Sequence, residues 1–438
     1  MVSLNRRQAL RAAALGSTAL MTAACGSPFA SGLAATPLEP GQVAFWNLWS
    51  GGDGARAQTI FERYRAAHGA DSLEATTLAW GSPYYTKLSL SIVGGRPPDV
   101  AVCHLSRLSN FARAGLLTEL TPSTLAGAGI DGTQFDAAVW RSGLVDGKAY
   151  GLPVDIGALV LYYNTDLCRR AGLLDASGRL KPIRSEVAFR AALAATVQAG
   201  ARWGLVSPVI ADPSSNWRIF DTVYTQMGGP PLLGGNGTRI TMDDRVAAES
   251  LRWLRDLTTA KLSPDTATDV TSVSLFAAGQ SAFLVHGAWQ TPTVTDAKVP
   301  FSLAPIPQLF GRPAAFADSH TLVFPRKDPA GDPRRALGFA KFFLENTDVW
   351  AQGGSLPVYR PVLDSAWFRG YEPVASTTPT KDIAIYDPPA WYAGAGSAMQ
   401  TLAGSQVALA RQGLAGPDEA VRAIRDALAG YAATPSPL

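Results

Sequence analysis

Polar and aromatic residues lie at the ends of the first predicted strands. Ligands of open α/β sheets sit outside the carboxyl ends of strands, so these positions are candidates for a binding site. Rings can stack on a ligand and amide or hydroxyl groups can bind it, which suits capture of a polar molecule. The alternative is that Asn47 is a buried cap and Trp49 a core residue. The candidates are Asn47, Trp49, Ser50, Trp80, Ser82 and Tyr84.

Sequence patterns of catalysis are missing. The histidines His68, His104, His286 and His320 show no His-Glu-x-x-His metal spacing, and no Gly-x-Ser-x-Gly nucleophile turn occurs. We therefore expect no catalytic residue, no metal and no cofactor. Carboxylate pairs that cleave glycosides are defined by distance in space, so a secreted hydrolase remains an alternative.

The order of predicted elements indicates an α/β fold. Strand and helix signals alternate in the first half, which predicts a parallel sheet with helices on both faces. After Gly157 the pattern becomes mainly helical, which indicates another lobe. The predicted strands are 43–48, 73–78 and 100–102, and the predicted helices are 54–68, 83–92, 105–114, 166–171, 185–199, 217–227, 243–260 and 417–430.

The first 24 residues have the layout of an export signal. Arg6, Arg7 and Arg11 precede an uncharged, alanine-rich stretch that is too short to span a bilayer. The paired arginines also resemble a twin-arginine signal, so the export route stays open.

A cysteine closes this stretch abruptly. The sequence Thr-Ala-Ala-Cys-Gly at residues 22–26 resembles the bacterial lipobox, although Thr22 replaces the usual Leu. We expect a signal peptide at 1–24, lipid on Cys25 and a lipid-anchor tether at 25–40, which would hold the protein at the outer face of the cell membrane.

The net charge and the cysteines limit which ligands and which disulfide bonds can be expected. The whole chain has a formal net charge of +3, and loss of the three signal arginines leaves a neutral protein. No basic run suggests nucleic acid, and a neutral ligand fits better. Cys103 and Cys168 remain; we expect buried free thiols, with a disulfide as the alternative.

Several motifs, in order, resemble the family 1 extracellular solute-binding proteins, the sugar-binding components of ABC importers. The strongest piece is Gly-Lys-Ala-Tyr-Gly-Leu-Pro at 147–153, followed by Tyr-Asn-Thr-Asp-Leu at 163–167 and Ala-Gly-Leu at 171–173. A second piece runs from Phe276 to a Gly-Ala-Trp at 287–289. Further pieces are Pro-Asp-Val at 98–100, Ala-Gly-Leu-Leu at 114–117, Leu-Pro-Val-Tyr-Arg at 356–360 and Gly-Pro-Asp-Glu-Ala at 416–420.

The resemblance implies a periplasmic-binding-protein-like fold of type II, with two discontinuous α/β lobes around a central cleft. We expect lobe 1 at 41–157 and 313–360, and lobe 2 at 158–312 and 361–438. Lobe closure would capture a carbohydrate, either an oligosaccharide or an amino sugar, and a monomer would deliver it to the importer's permease subunits. The alternatives are a binder of a glycerol phosphodiester or polyol phosphate, with its phosphate at the Gly51–Gly54 turn, and a structural envelope lipoprotein.

The resemblance also points to ligand-binding residues. Trp289 of the Gly-x-Trp matches a family position that lines the cleft, and core packing is the alternative. Asp155 lies at the predicted hinge, where it could accept sugar hydroxyls or form an ion pair across the hinge. The remaining candidates are Tyr163, Asn216, Trp217, His286, Asp318, His320 and Arg360.

Overall fold

A computed structural model of the protein describes residues 41–327 and 333–436. The predicted signal peptide, the tether and Cys25 lie outside the described residues. Within the described ranges, no helix combines the length and apolar character that a membrane crossing requires.

The first sheet has five strands. Strands β1 (Val43–Asn47), β2 (Leu73–Thr77) and β3 (Val100–His104) are parallel, as the alternation with helices predicts. Strands β6 (Gly151–Pro153) and β14 (His320–Val323) join them in antiparallel pairing. The order across the sheet is β2-β1-β3-β14-β6.

The second sheet is built around β7 (Asp155–Asn164), whose ten residues are all buried. Alternate side chains of a strand point to opposite faces, so Leu159 and Leu161 pack in one apolar cluster and Val160 and Tyr162 in another. The other strands of this sheet are β8 (Trp203–Val206), β11 (Ser281–Gly287), β12 (Phe301–Pro305), β13 (Ala315–Asp318), β15 (Leu356–Pro357) and β16 (Ala384–Ile385). Two short hairpins pair β4 (Leu144–Val145) with β5 (Lys148–Ala149) and β9 (Leu233–Gly234) with β10 (Arg239–Ile240).

Helices cover both sheets, and every helix predicted from the sequence is present with slightly different ends. The first half contains α1 (Gly51–His68), α2 (Ser82–Val93), α3 (Leu105–Arg113), α4 (Pro122–Gly127) and α5 (Ala137–Ser142). The middle contains α6 (Thr165–Arg170), α7 (Glu186–Gln198), α8 (Pro213–Gln226), α9 (Asp244–Thr259), α10 (Asp269–Ala277) and α11 (Thr291–Asp296). The last part contains α12 (Arg334–Glu345), α13 (Thr347–Ala351), α14 (Arg360–Leu363), α15 (Ala366–Arg369), α16 (Ala398–Gln412) and α17 (Pro417–Ala432). Short 3-10 turns occur at Ala70–Ser72, Gly132–Gln134, Ala288–Gln290 and Val374–Asp382.

The buried side chains form two separate cores, one in each lobe. The first lobe contains the core residues from Val43 to Ala158 and from Ala317 to Val374. The second lobe contains those between Leu159 and Phe316 and those from Ala390 to Leu428. The chain therefore crosses within β7, within β13 and after residue 374. The two-lobed α/β fold implied by the resemblance is confirmed.

The last crossing lies later than the sequence analysis placed it. Val362, Phe368 and Val374 were assigned to the second lobe, but their side chains pack in the first core. Cys103 and Cys168 are buried and not joined in a disulfide, as expected.

Candidate ligand-binding site

Asp155 and His320 meet where the first two crossings lie side by side. The Asp155 carboxylate is fully buried and accepts the His320 backbone N–H at 2.7 Å and the Trp350 indole N–H at 2.8 Å. Its second contact with His320 joins Oδ2 to Nδ1 at 2.9 Å. Burial disfavours charge on His320, but Asp155, together with the charges of Asp53 and Asp318, outweighs burial and raises the pKa of His320 to about 9. Asp155 thus forms the ion pair that was the alternative to a sugar contact.

A second carboxylate, Asp53, lies near this pair at the start of α1. Burial raises the pKa of Asp53 to about 7, while the positive charge of His320 acts in the opposite direction. Asp53 makes no hydrogen bond or ion pair with another described residue. The glycines around it form the first turn of α1 rather than a turn before the helix. An acidic side chain in this first turn already occupies the positive end of the helix dipole, which argues against a phosphate there.

Trp289 rests on glycines of the second sheet. A Cβ atom at Gly287 would lie 2.1 Å from the indole, and one at Gly157 would lie 3.8 Å from it. The Gly-x-Trp spacing thus leaves room for the ring beside the crossing strands. His286 precedes these residues; its Nδ1 accepts the Gly287 N–H at 2.8 Å, and its Nε2 lies 2.6 Å from Asp269. His286 is therefore buried support for Trp289.

Arg218 reaches the same place from α8. Its guanidinium lies over the Trp289 ring, 5.3 Å from the ring centroid, and 5.8 Å from the centroid of Phe316. The Nε atom is buried and has no hydrogen-bond partner in the described chain. Trp289 and Arg218 together form a surface of one ring and one cation at the junction of the lobes.

Two more buried carboxylates surround this surface. Asp318 accepts the Ser106 hydroxyl at 2.5 Å and the Ser106 N–H at 3.2 Å, which links β13 to α3 of the first lobe. Burial raises the pKa of Asp318, and the hydrogen bonds from Ser106 oppose that rise. Asp387 accepts the indole N–H of Trp217 at 2.7 Å and the Gln400 amide at 2.6 Å. Burial raises the pKa of Asp387 to about 6.

A segment of the second lobe, residues 390–397, contacts the first lobe along one edge. Ser82 donates to the Gly396 carbonyl at 2.8 Å, and Arg107 donates to the Ala395 carbonyl at 3.0 Å. Asn110 donates to the Ala390 carbonyl at 2.9 Å. We call residues 390–397 the contact segment; its backbone groups bind polar side chains of α2 and α3.

Several predicted site residues lie in the core. Asn47 caps the end of β1, with its Oδ1 accepting the Trp49 N–H at 3.1 Å, and Trp49 packs 4.6 Å from Trp350. Tyr84 is fully buried and donates to the Val102 carbonyl at 2.6 Å. The structural alternative therefore fits Asn47 and Trp49, and Tyr84 is likewise part of the core.

Three candidates in the second lobe also lie in the core. Tyr163 is buried in the core of this lobe. Asn216 accepts from Arg411 at 2.8 Å and donates to the Val209 carbonyl, and Trp217 is held by Asp387. All three have structural partners.

Two further candidates lie on the surface. Ser50 is exposed and its hydroxyl does not cap α1. Arg360 is exposed at the start of the short helix α14, where its Nε donates to Asp364 at 2.9 Å. That ion pair spans one helical turn and leaves no reason to place Arg360 in the cleft.

Sequence reasoning missed the groups that the structure adds. Arg218 follows Trp217 directly, and Asp53 lies inside the Gly-Gly-Asp-Gly sequence that was interpreted only as a turn. Ser106 and Arg107 lie two and three residues after the end of β3 at His104. A prediction that extended β3 to His104 would have placed them near the carboxyl end of a strand, where ligands of open α/β sheets bind. No local signal marks the contact segment, because only its backbone groups bind.

The sequence matches the family described as "Bacterial extracellular solute-binding protein" over residues 59–372. This is well over half of the chain, and the chain belongs to that family. The resemblance noted in the sequence is thereby confirmed, and a family of solute-binding proteins agrees with the prediction that the chain is not an enzyme.

Curated relatives include sugar-binding proteins of other bacteria. The maltodextrin-binding protein MdxE of Bacillus subtilis is 26% identical over 231 residues, which are 51% of this chain and 50% of MdxE. A maltooligosaccharide ABC transporter solute-binding lipoprotein of Streptococcus pneumoniae is 27% identical over 256 residues, 55% of this chain and 54% of the relative. The chain thus spans about half the length of the curated relatives it matches.

Solved structures share the whole fold. The GacH receptor of Streptomyces glaucescens, solved without ligand and with acarbose, superposes with a TM-score of 0.71 at 23% identity, covering 89% of this chain and 97% of GacH. The maltotriose-binding protein of Thermus thermophilus superposes with a TM-score of 0.69 at 16% identity, covering 89% and 99%. At these identities the likeness establishes the fold, which is the binding-protein architecture that the sequence predicted.

Proposed function

We propose that the protein captures an oligosaccharide between its two lobes and delivers it to the permease of an ABC importer. The observation that carries the proposal is the surface of Trp289 and Arg218 at the lobe junction. An aromatic ring offers a face to the C–H side of a sugar, and a guanidinium offers donors to its hydroxyls. The family and the sugar-binding relatives support the same ligand class.

Calorimetric titration tests the ligand class. The panel is maltotriose, maltose, acarbose, glucosamine and glycerophosphocholine, added to the protein without its first 40 residues. We expect binding of an oligosaccharide from this panel and no binding of glycerophosphocholine. Binding of the phosphodiester alone would reject the proposal, as would the absence of binding to every sugar tested. A thermal-shift series provides a second measurement, because a ligand that binds only the folded state raises the melting temperature.

We further propose that the mature protein is a monomer held at the cell membrane by lipid on Cys25. The alanine-rich stretch ends abruptly at this cysteine, which supports the lipid anchor. A relative from Streptococcus pneumoniae is described as a lipoprotein, which agrees with this proposal. Cys25→Ser should release the protein from the membrane fraction into the soluble fraction. Retention of that variant in the membrane would reject lipidation at Cys25. Sedimentation of the soluble chain tests the monomer.

A further inference from the structure

Arg218 is held in place by residues that face the core. Helix α8 begins at Pro213 after Asp212, whose side chain accepts the Ser215 N–H at 3.0 Å. Trp217 is fully buried, and its indole N–H donates to Asp387. These contacts fix how α8 is rotated, and they direct Arg218 to Trp289 rather than into the core.

The guanidinium of Arg218 contacts two rings but has no acceptor in the part of the chain that the structure describes. It makes no hydrogen bond or ion pair with another described residue. Its positive charge nevertheless acts on Asp269, Asp318 and Asp387, where it favours the ionised carboxylate and so opposes the effect of burial on each pKa. A guanidinium carries five N–H donors, and buried donors without partners are costly. This arginine therefore has hydrogen-bonding capacity that residues 41–327 and 333–436 do not use.

Arg411 shows how the same lobe binds the terminal nitrogens of a structural arginine, although its Nε, like that of Arg218, has no hydrogen-bond partner among the described residues. Its Nη1 donates to the Pro208 carbonyl at 2.7 Å and to Asn216 at 2.8 Å, and its Nη2 donates to Ser207 at 2.8 Å. Arg411 is buried and binds three partners, whereas the guanidinium of Arg218 is half-buried at the lobe junction and binds none of the described residues. The contrast indicates that the partners of Arg218 come from outside the chain.

We propose that Arg218 determines ligand specificity by donating two parallel hydrogen bonds to a pair of neighbouring hydroxyl oxygens on a sugar held at Trp289. This inference rests on the proposed function. The three carboxyl groups around Arg218 favour a neutral ligand, because their field already stabilises the cation and would repel an anion. The planar fork of a guanidinium matches two adjacent oxygens, which a lysine ammonium cannot do.

The test compares Arg218→Ala and Arg218→Lys with a matched control. Arg202 lies over the Trp203 ring at 5.6 Å on an exposed part of the second lobe, so Arg202→Ala removes a similar arginine–tryptophan contact away from the lobe junction. Affinity for each sugar that the wild-type protein binds is measured by calorimetry, together with glucuronic acid. We expect Arg218→Ala to lower sugar affinity by about tenfold to a hundredfold, Arg218→Lys to recover only part of the loss, and Arg202→Ala to have no effect.

Each outcome separates this inference from the proposed function. If Arg218→Ala binds the sugar as tightly as the wild-type protein or more tightly, the inference is overturned and the proposed sugar capture stands. A loss confined to glucuronic acid would overturn the assignment to neutral hydroxyls. Full recovery by Arg218→Lys would show that charge alone is needed and would overturn the forked contact. Absence of sugar binding by the wild-type protein would reject the proposed function itself, and the inference with it.

Discussion

The Asp155 carboxylate lies 2.9 Å from Nδ1 of His320; Asp155 begins β7, where the chain first crosses between the lobes, and His320 lies two residues after β13, where it crosses again. The same carboxylate binds Trp350, whose ring lies 5.7 Å from that of His320. Because a buried charge is costly without a partner, the pair stabilises this arrangement most while His320 carries its proton. The hinge region therefore contains a group whose charge depends on pH.

We predict that the protein loses stability as the pH rises from about 6.5 to about 9. The folded state holds the proton of His320 with a pKa of about 9, above its ordinary value of 6.5. The resulting stabilisation is fully present below pH 6.5 and is lost as the pH rises through 9, by about 1–3 kcal/mol. Asp53, with its pKa raised to about 7, acts in the same direction between about pH 4 and pH 7. Urea denaturation at several pH values measures the loss.

The matched variants are His320→Gln and His68→Gln. His320→Gln should flatten the pH dependence above pH 6.5, and His68→Gln, at an exposed position, should keep it. The titrating groups that face His320 are Asp155, Asp53, Asp318 and His104. An unchanged pH profile in His320→Gln would assign the dependence to one of these other groups.

The fold was predictable because periodicity and motif order act over long stretches. The alternation of strands and helices gave β1, β2 and β3 with ends within two residues of those observed. The last lobe boundary was wrong because the segment after Arg360 begins with two short helices. Each has few apolar side chains, and the sequence does not indicate which of the two cores they join.

The site was less predictable because it depends on how elements are rotated. Trp217 and Arg218 are neighbours on α8, and about 100° of helical rotation separates adjacent side chains. The sequence favoured the tryptophan, but packing against Asp387 turns Trp217 inward and leaves Arg218 at the lobe junction. Trp289 was easier to identify because its motif includes Gly287, whose missing side chain makes room for the ring. Its role as a ligand contact stays a prediction.

Replacing Trp289 with alanine should weaken ligand binding by about 1–3 kcal/mol, since a sugar would lose the ring surface beside Arg218. The fold should remain intact, because Trp289 is only partly buried at the end of β11. Calorimetry with the sugar that the wild-type protein binds measures the effect. Trp367→Ala is the control, since Trp367 is 42% exposed and lies on α15. Equal affinity in Trp289→Ala and wild type would remove Trp289 from the site.

Arg411→Met should destabilise the protein by about 2–4 kcal/mol without a direct effect on the ligand. The variant removes a buried donor and leaves the acceptors at Pro208, Asn216 and Ser207 without a partner. Urea denaturation measures the free energy of unfolding. Arg422→Met, at an exposed position of α17, should change stability by less than about 0.5 kcal/mol. A loss of similar size in both variants would contradict a special role of the buried arginine.

Gly396→Ala should keep the lobes from meeting along the contact segment. Gly396 has φ +63°, and a Cβ atom there would lie 2.6 Å from the Cα of Gly81 in the first lobe. Because both backbones are in the way, the added methyl group has to push the segment off Ser82, whose hydroxyl donates to the Gly396 carbonyl. Small-angle X-ray scattering should then show a larger radius of gyration, and ligand affinity should fall by about tenfold, since closure becomes less favourable. Gly338→Ala, which has open space within α12, should change neither value; an unchanged radius and affinity in Gly396→Ala would show that the contact segment does not limit closure.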